Sequence, residues 1–268
     1  MNAPLAGRAA LITGGSRGIG AASASALASL GAHVVLTYRF DIDAGQRLVD
    51  KITEAGGSAE GRRLDIADPT DIAAFAGALA ASERPIDILV ANAAAGYPKV
   101  PLKDLDVSDL TDKVTADLRA THLLTTALAP TMRARGFGRL IYVSSGHADG
   151  PTAPGMTANG TSKAALEAYV TFVVDELTGN GVTANIVRPG LVATHATRGR
   201  LPAPVRGVLT AATPAAREAT PADIAEVIAF LASAGEMVNG VRIPVTGGLN
   251  TALSVRRIAT VNENAQHG

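Results

Sequence analysis

The 268-residue chain contains no cysteine and no tryptophan. Without thiols it has no disulfide framework, no thiolate zinc site and no cysteine nucleophile. Aromatic side chains are few, five Phe and four Tyr, so the place of each tyrosine matters. Charge of one sign does not dominate: Lys and Arg together number 24, as do Asp and Glu. No global basic field therefore draws nucleic acid or an anionic membrane. No run approaches the roughly 18–20 uninterrupted apolar residues of a membrane helix. Residues Met1 to Arg8 hold no apolar stretch of the kind a secretory signal needs. These absences predict a cytoplasmic protein with neither nucleic acid nor membrane as partner.

What is present is a chain rich in Ala and Gly, 47 % hydrophobic and only 18 % charged. That composition excludes disorder and suffices for one large core. Short β-rich runs alternate with longer Ala/Leu segments of helical period, the pattern of βαβ units around a parallel sheet. Strands are predicted at about 8–13, 32–37, 59–65, 86–92, 138–144, 183–188 and 241–245. Helices are predicted near 17–30, 43–55, 69–81, 107–135, 156–178 and 221–232. Ile88-Leu89-Val90 and Leu140-Ile141-Tyr142-Val143 are continuously apolar, as a sheet covered on both faces requires. Asp68-Pro69 and Thr220-Pro221 each offer an N-cap followed by proline at the first helical position. One stretch, 193–219, breaks the alternation with Gly199, Pro202, Pro204, Gly207 and Pro214 among arginines. It reads as a surface loop or, because it follows the sixth strand's C-terminal end, as a substrate lid. A single domain over 1–253, lid included, with a fraying polar tail at 254–268 is the expected organisation.

Directly after the first strand comes Thr13-Gly14-Gly15-Ser16-Arg17-Gly18-Ile19-Gly20, running into an Ala-rich helix. Gly14 allows a tight turn, Gly18 lets the backbone approach a pyrophosphate, and Gly20 lets helix pack on strand. The helix N-terminus adds free N–H groups and partial positive charge. Position between strand and helix, inside a βαβ unit, separates a dinucleotide site from an ordinary glycine turn. At the second strand's end stands Thr37-Tyr38-Arg39, with no carboxylate for the ribose hydroxyls. A guanidinium there suits a 2′-phosphate, and Arg17 could join it. The predicted cofactor is NADP(H), with Asp41 the one nearby acid that could compete.

Together these residues resemble the short-chain dehydrogenase/reductase family, over about Arg8 to Asn250. Leu64-Asp65-Ile66 resembles its adenine-contacting stretch. Asn92, in Val90-Ala91-Asn92-Ala93-Ala94-Ala95-Gly96, is similar to its fourth-strand Asn-Asn-Ala-Gly signature, with Ala for the first Asn and for the Gly. Asn185 and Arg188-Pro189-Gly190 resemble the turn near the nicotinamide, and Thr194 stands where the cofactor is often touched. Val245-Thr246-Gly247-Gly248 replaces the family's Val-Asp-Gly-Gly. The resemblance implies a Rossmann-type, doubly wound α/β fold, seven parallel strands in the order 3-2-1-4-5-6-7 with helices on both faces. It implies cofactor binding by Gly14, Ser16, Arg17, Gly18, Ile19, Gly20, Arg39, Asp65, Ile66, Asn92, Lys163, Pro189, Gly190 and Thr194. It also implies a homodimer or homotetramer built on the two longest helices, whose outer faces carry Ala164, Ala165 and Ala168.

Hydride transfer to a carbonyl leaves an oxyanion that needs hydrogen bonds and then a proton. The family meets this with a Ser, a Tyr four residues before a Lys, and an Asn on the preceding long helix. Thr161-Ser162-Lys163-Ala164-Ala165-Leu166-Glu167 matches around the Lys, and Ser145 ends the fifth strand at the Ser position. Asn159 stands where Tyr is expected and Asp117 where Asn is expected; Met156 holds the position used by the Tyr of enoyl-thioester reductases. An Asn amide can hold an oxyanion but not supply a proton at neutral pH. Tyr97 could serve as the acid, or be a loop aromatic packing on the lid. His147 is a second candidate. Asp117 could start a water relay, and solvent suffices for a delocalised product. Tyr142 reads as core. No metal site is predicted, the histidines at 33, 122, 147, 195 and 267 being scattered. The catalytic set is thus Ser145, Asn159, Lys163, Asp117 and Tyr97, predicting NADPH-dependent reduction of a ketone or quinone-like carbonyl on a small molecule. Conjugate C=C reduction and NADP binding without redox turnover are the alternatives.

Overall fold

Strands whose successive side chains are all apolar must be covered on both faces, and the alternation of short and long segments supplies the covers. In the computed structural model, which describes residues 3–150 and 155–249, the strands are β1 (Ala9–Ile12), β2 (His33–Tyr38), β3 (Ser58–Arg63), β4 (Ile88–Ala91), β5 (Gly138–Val143), β6 (Val182–Pro189) and β7 (Arg242–Val245). They form one all-parallel sheet in the order β3-β2-β1-β4-β5-β6-β7. The doubly wound fold is as expected, and the predicted strands and helices are each present within a few residues. The predicted tail at 254–268 lies outside the described residues.

Period-two alternation divides the core. Ala10 and Ile12 of β1 and Ile141 and Val143 of β5 face α1 (Gly18–Ser29), α2 (Ile42–Glu54) and α8 (Pro221–Ser233), through Leu27, Ile52, Ile224 and Ile228. Leu11, Leu140 and Tyr142 point to the other face, onto α3 (Pro69–Ala80), α4 (Val107–Ala134) and α5 (Thr157–Leu177). Tyr142 is core, as predicted: its hydroxyl meets Thr125 Oγ1 at 2.8 Å, and burial pushes its phenol far above the usual range. Both predicted caps form. Asp68 accepts from the amides of Thr70 and Asp71, and Thr220 and Asp223 make a reciprocal capping box.

The sheet order reverses between β1 and β4, and a crevice opens outside the carboxyl ends of these strands. Segment 193–219 is not a plain loop. It folds into α6 (His195–Arg200) and α7 (Ala203–Ala212). Pro202 caps α7 and Pro204 sits in its first turn, so these prolines start a helix rather than break one. The segment's ends are tied by Ala193 N–H to Ala219 O and Ala219 N–H to Leu191 O, at 2.8 and 2.9 Å.

Candidate active site

The glycine turn between β1 and α1 is built by close approach. Gly14 and Gly18 have φ of +63° and +56°, a region that favours glycine. A Cβ on Gly20 would lie 2.2 Å from Gly14 O. Asn92 fastens this turn from β4, its amide donating to Thr13 O at 2.9 Å and Gly14 O at 3.2 Å. Thr37 Oγ1 accepts from Gly14 N–H. Arg17 caps α1 only through its backbone, which leaves first-turn N–H groups available to an anion.

A cavity of about 400 Å³ opens over this turn. Of the predicted cofactor residues, Gly14, Ser16, Arg17, Gly18, Ile19, Arg39, Asp65, Ile66, Asn92 and Thr194 line it. Gly20 lies behind them, packing helix on strand. Pro189, Gly190 and Lys163 are not in this wall: Pro189 ends β6 in register with Val245, and Gly190 N–H donates to Val245 O. Asn185 is a strut, its side chain joining β6 to the 238–241 connection through Val238 O and Val241 N–H. Asp41, the possible competitor for the ribose, caps α2 by accepting from Ala44 N–H and lies 3.7 Å from Arg17 Nη1. Arg39, with its side chain 47 % exposed, places Nε 2.7 Å from Asp65 Oδ2. The cavity's ribose end thus carries two guanidiniums, and both nearby carboxylates are engaged.

At the sheet's far side of the crevice the chemistry changes from backbone to buried charge. Lys163, within α5, is buried and donates to Val143 O at 2.8 Å. Burial is the largest influence on its ammonium and pulls it down to about 8, against the opposing pull of Asp117 and Glu167. Ser145, at the C-terminal end of β5, accepts from His147 N–H at 3.2 Å. Its own hydroxyl proton has no acceptor among the described residues. Asn159 is buried in the first turn of α5, and its amide makes no hydrogen bond to a described residue. His147 is corrected as a proton donor: burial and the charge of Lys99 hold it down to about 4, so the imidazole is neutral near pH 7.

Asp117 has both carboxylate oxygens engaged. Its Oδ1 accepts from Ala95 N–H at 2.8 Å, and its Oδ2 accepts from Lys113 Nζ at 2.5 Å and Ser162 Oγ at 2.6 Å. The carboxylate therefore joins α4, α5 and the loop after β4. Lys113 itself, one turn earlier on α4 with a side chain 0 % exposed, went unnoticed in the sequence. The signal was there, since a lysine at i−4 to an acid on a helix is a pairing pattern, but such pairs usually lie on the surface. Tyr97 sits between these groups: its hydroxyl reaches Met156 Sδ at 3.6 Å, and Lys113 Nζ lies 5.3 Å from its ring centre.

A second buried network went unread as well. Glu167, one turn beyond Lys163, accepts from Ser144 Oγ at 2.5 Å and from Arg188 Nε at 2.7 Å, with a further contact to Arg188 Nη2. Arg188 Nη1 also donates to Asp149 Oδ2 at 2.6 Å. This cluster binds α5, the end of β5, β6 and the 3-10 turn Gly146–Asp149 that follows Ser145. Among the described residues no cluster of His, Asp and Glu could hold a metal. No helix there is long and apolar enough to cross a membrane.

Comparison with known proteins agrees with this geometry. Residues 14–250 match the family model described as enoyl-(acyl carrier protein) reductase. The NADPH-dependent aldehyde reductase-like chloroplastic protein of Arabidopsis thaliana is 35 % identical over 258 residues, spanning 91 % of this chain and 95 % of that one. A gluconate 5-dehydrogenase from Burkholderia cenocepacia, solved with NADP and tartrate, superposes with a TM-score of 0.83 at 29 % identity, covering 92 % of this chain and 97 % of that one. A solved short-chain dehydrogenase/reductase family protein is 34 % identical, with a TM-score of 0.79 over 92 % of this chain and 98 % of its own. With its glycine turn, its sheet order and its buried lysine on α5, the chain belongs to the short-chain dehydrogenase/reductase family of oxidoreductases.

Proposed function

We propose that this protein is an NADPH-dependent reductase of small carbonyl compounds whose site works without a tyrosine four residues before Lys163. The observation that carries it is the glycine-floored cavity at the switch point, with Arg17 and Arg39 at one end and no free carboxylate for the ribose. Gly18 has a φ of +56° that favours glycine, and without a Cβ its backbone is open to a close-lying group. The residues present fit NADP(H): α1 N–H groups for the pyrophosphate, Asp65 and Ile66 for the adenine, Arg39 for the 2′-phosphate. When bound, the cofactor would supply hydride.

The chain's own residues do the rest. Ser145 donates its unused proton to the developing oxyanion, and the Asn159 amide adds a second donor. Lys163 sets a positive charge beneath them. Tyr97 supplies the proton. The α6–α7 segment, following β6, covers the substrate as a lid. The exposed faces of α4 and α5, with Ala164, Ala168 and Phe172 on α5, join copies into a homodimer or homotetramer.

Absorbance at 340 nm during incubation with NADPH and a panel of ketones, quinones and enones tests this. Turnover of a carbonyl, with NADPH bound more tightly than NADH, is the expected result. Turnover of enones alone would favour conjugate reduction, the reading that the enoyl-reductase family model supports. Tight NADPH binding with no oxidation on any substrate would mean a binding protein instead.

A further inference from the structure

A fully buried lysine is a costly feature, because burying an ammonium forfeits several kcal/mol of hydration. Lys113 is such a residue, and no step so far has used it. It holds Asp117 at 2.5 Å and places Nζ under the ring of Tyr97, 5.3 Å from the centroid. Tyr97 comes from the connection between β4 and α4, and its hydroxyl reaches Met156 at the N-cap of α5, three residues ahead of Asn159.

We propose that Lys113 tunes Tyr97, so that the tyrosine–lysine couple of this site is built on the β4–α4 side of the crevice instead of within α5. The inference rests on the reading of Tyr97 as the proton donor. Lys113 is a positioning residue, acting through Tyr97. A cation on the ring face stabilises the phenolate over the phenol. Asp117 fixes the ammonium in place and has both oxygens taken, by Lys113 and Ser162 on one side and Ala95 N–H on the other. Lys113 lies over the Tyr97 ring and is paired with Asp117, both from α4; Lys163, from α5, feels the charges of both; and burial with the charge of Lys99, from Tyr97's own loop, keeps His147 on the 3-10 turn neutral. When hydride addition puts charge on the substrate oxygen, the Tyr97 O–H bond breaks and its proton passes to that oxygen, completing the alcohol. The phenolate, held beside Lys113, is then reprotonated from solvent.

Ultraviolet difference titration of phenolate absorbance, wild type minus Tyr97→Phe, isolates Tyr97 from the other three tyrosines and needs no turnover. The phenol is expected to ionise about one pH unit below its ordinary value near 10. In the Lys113→Met/Asp117→Asn double variant, which removes both members of the buried pair together, the midpoint should return upward by about one unit. Circular dichroism checks that the fold persists, and the basic limb of the kcat–pH profile should move in parallel. A Tyr97 midpoint at or above 10 in the wild type, or one that the double variant does not move, overturns the proposal whether or not any carbonyl is reduced. A depressed, Lys113-dependent midpoint in a protein that oxidises NADPH on no substrate would sustain the couple and sink the reductase reading.

Discussion

The two ends of one crevice are made in opposite ways. At the cofactor end the work is done by backbone: the bare floor of Gly14, Gly18 and Gly20, the open first turn of α1, and half-exposed arginines on the rim. At the other end it is done by buried charge: Lys113 paired with Asp117 on α4, Asp117 also with Ser162, Lys163 with Val143 O, and Glu167 with Arg188. A backbone cradle is specified by the local string that forms it. A buried charge is specified by residues that may lie anywhere in the chain, and its energetic stakes are higher because water no longer screens it.

The sharpest way to break this contrast is at the lysines, which look alike in sequence and differ in pairing. Lys113→Met removes the cation from a buried carboxylate and should destabilise the protein by about 3–5 kcal/mol in urea unfolding. Adding Asp117→Asn should recover most of that loss. Equal stability of single and double variants would show that the pair does not matter to the fold.

Lys163→Met is expected to behave differently. No carboxylate oxygen lies within 4 Å of its Nζ among the described residues, so its removal strands no partner charge. Turnover should fall roughly 10²–10³-fold, while the melting temperature at pH 7 holds or rises. The sign follows from linkage. Its folded value of about 8 lies below the ordinary 10.5, so between these pH values the unfolded chain binds more protons. Wild-type stability should therefore rise with pH across that window, and Lys163→Met should lack this rise.

Smaller effects belong to the cofactor end. Gly20→Ala forces a Cβ to 2.2 Å from Gly14 O and should cost about 1–3 kcal/mol through overpacking, with weaker NADPH binding by fluorescence titration. Arg39→Gln should remove the proposed charge-assisted contact to the 2′-phosphate. It should narrow the preference for NADPH over NADH about tenfold, or about 1.4 kcal/mol, and cost at most about 1 kcal/mol in unfolding through the lost Asp65 pair. An unchanged cofactor preference would remove Arg39 from that role.

The same contrast governs how much could be seen beforehand. Ser16, Ile19, Asp65 and Thr194 could be placed at one cavity because each sits in a short stretch whose shape is local. Tyr142 was placed in the core because β5 is apolar at every neighbouring position. Glu167 escaped notice because its partners lie across the fold, Ser144 at the end of β5 and Arg188 on β6; Lys113 escaped because its local i, i+4 pattern with Asp117 is usually a surface pair, and its burial follows only from packing. Segment 193–219 was read as irregular because its prolines look like breakers. Only their position at a helix start turns them into promoters.

Composition and periodicity alone determined the layered architecture and the dinucleotide cradle, because alternation of apolar runs and the conformational freedom of glycine are properties of the string itself. They also determined that no tyrosine stands four residues before Lys163. Tertiary structure decided the rest: that Asp117 is a buried joint, that His147 is neutral, that Asp41 is a helix cap, and that a second lysine lies beneath Tyr97. A side chain's charge state and reach depend on which distant groups exclude its water and answer its hydrogen bonds, and that is settled only when the chain has closed around it.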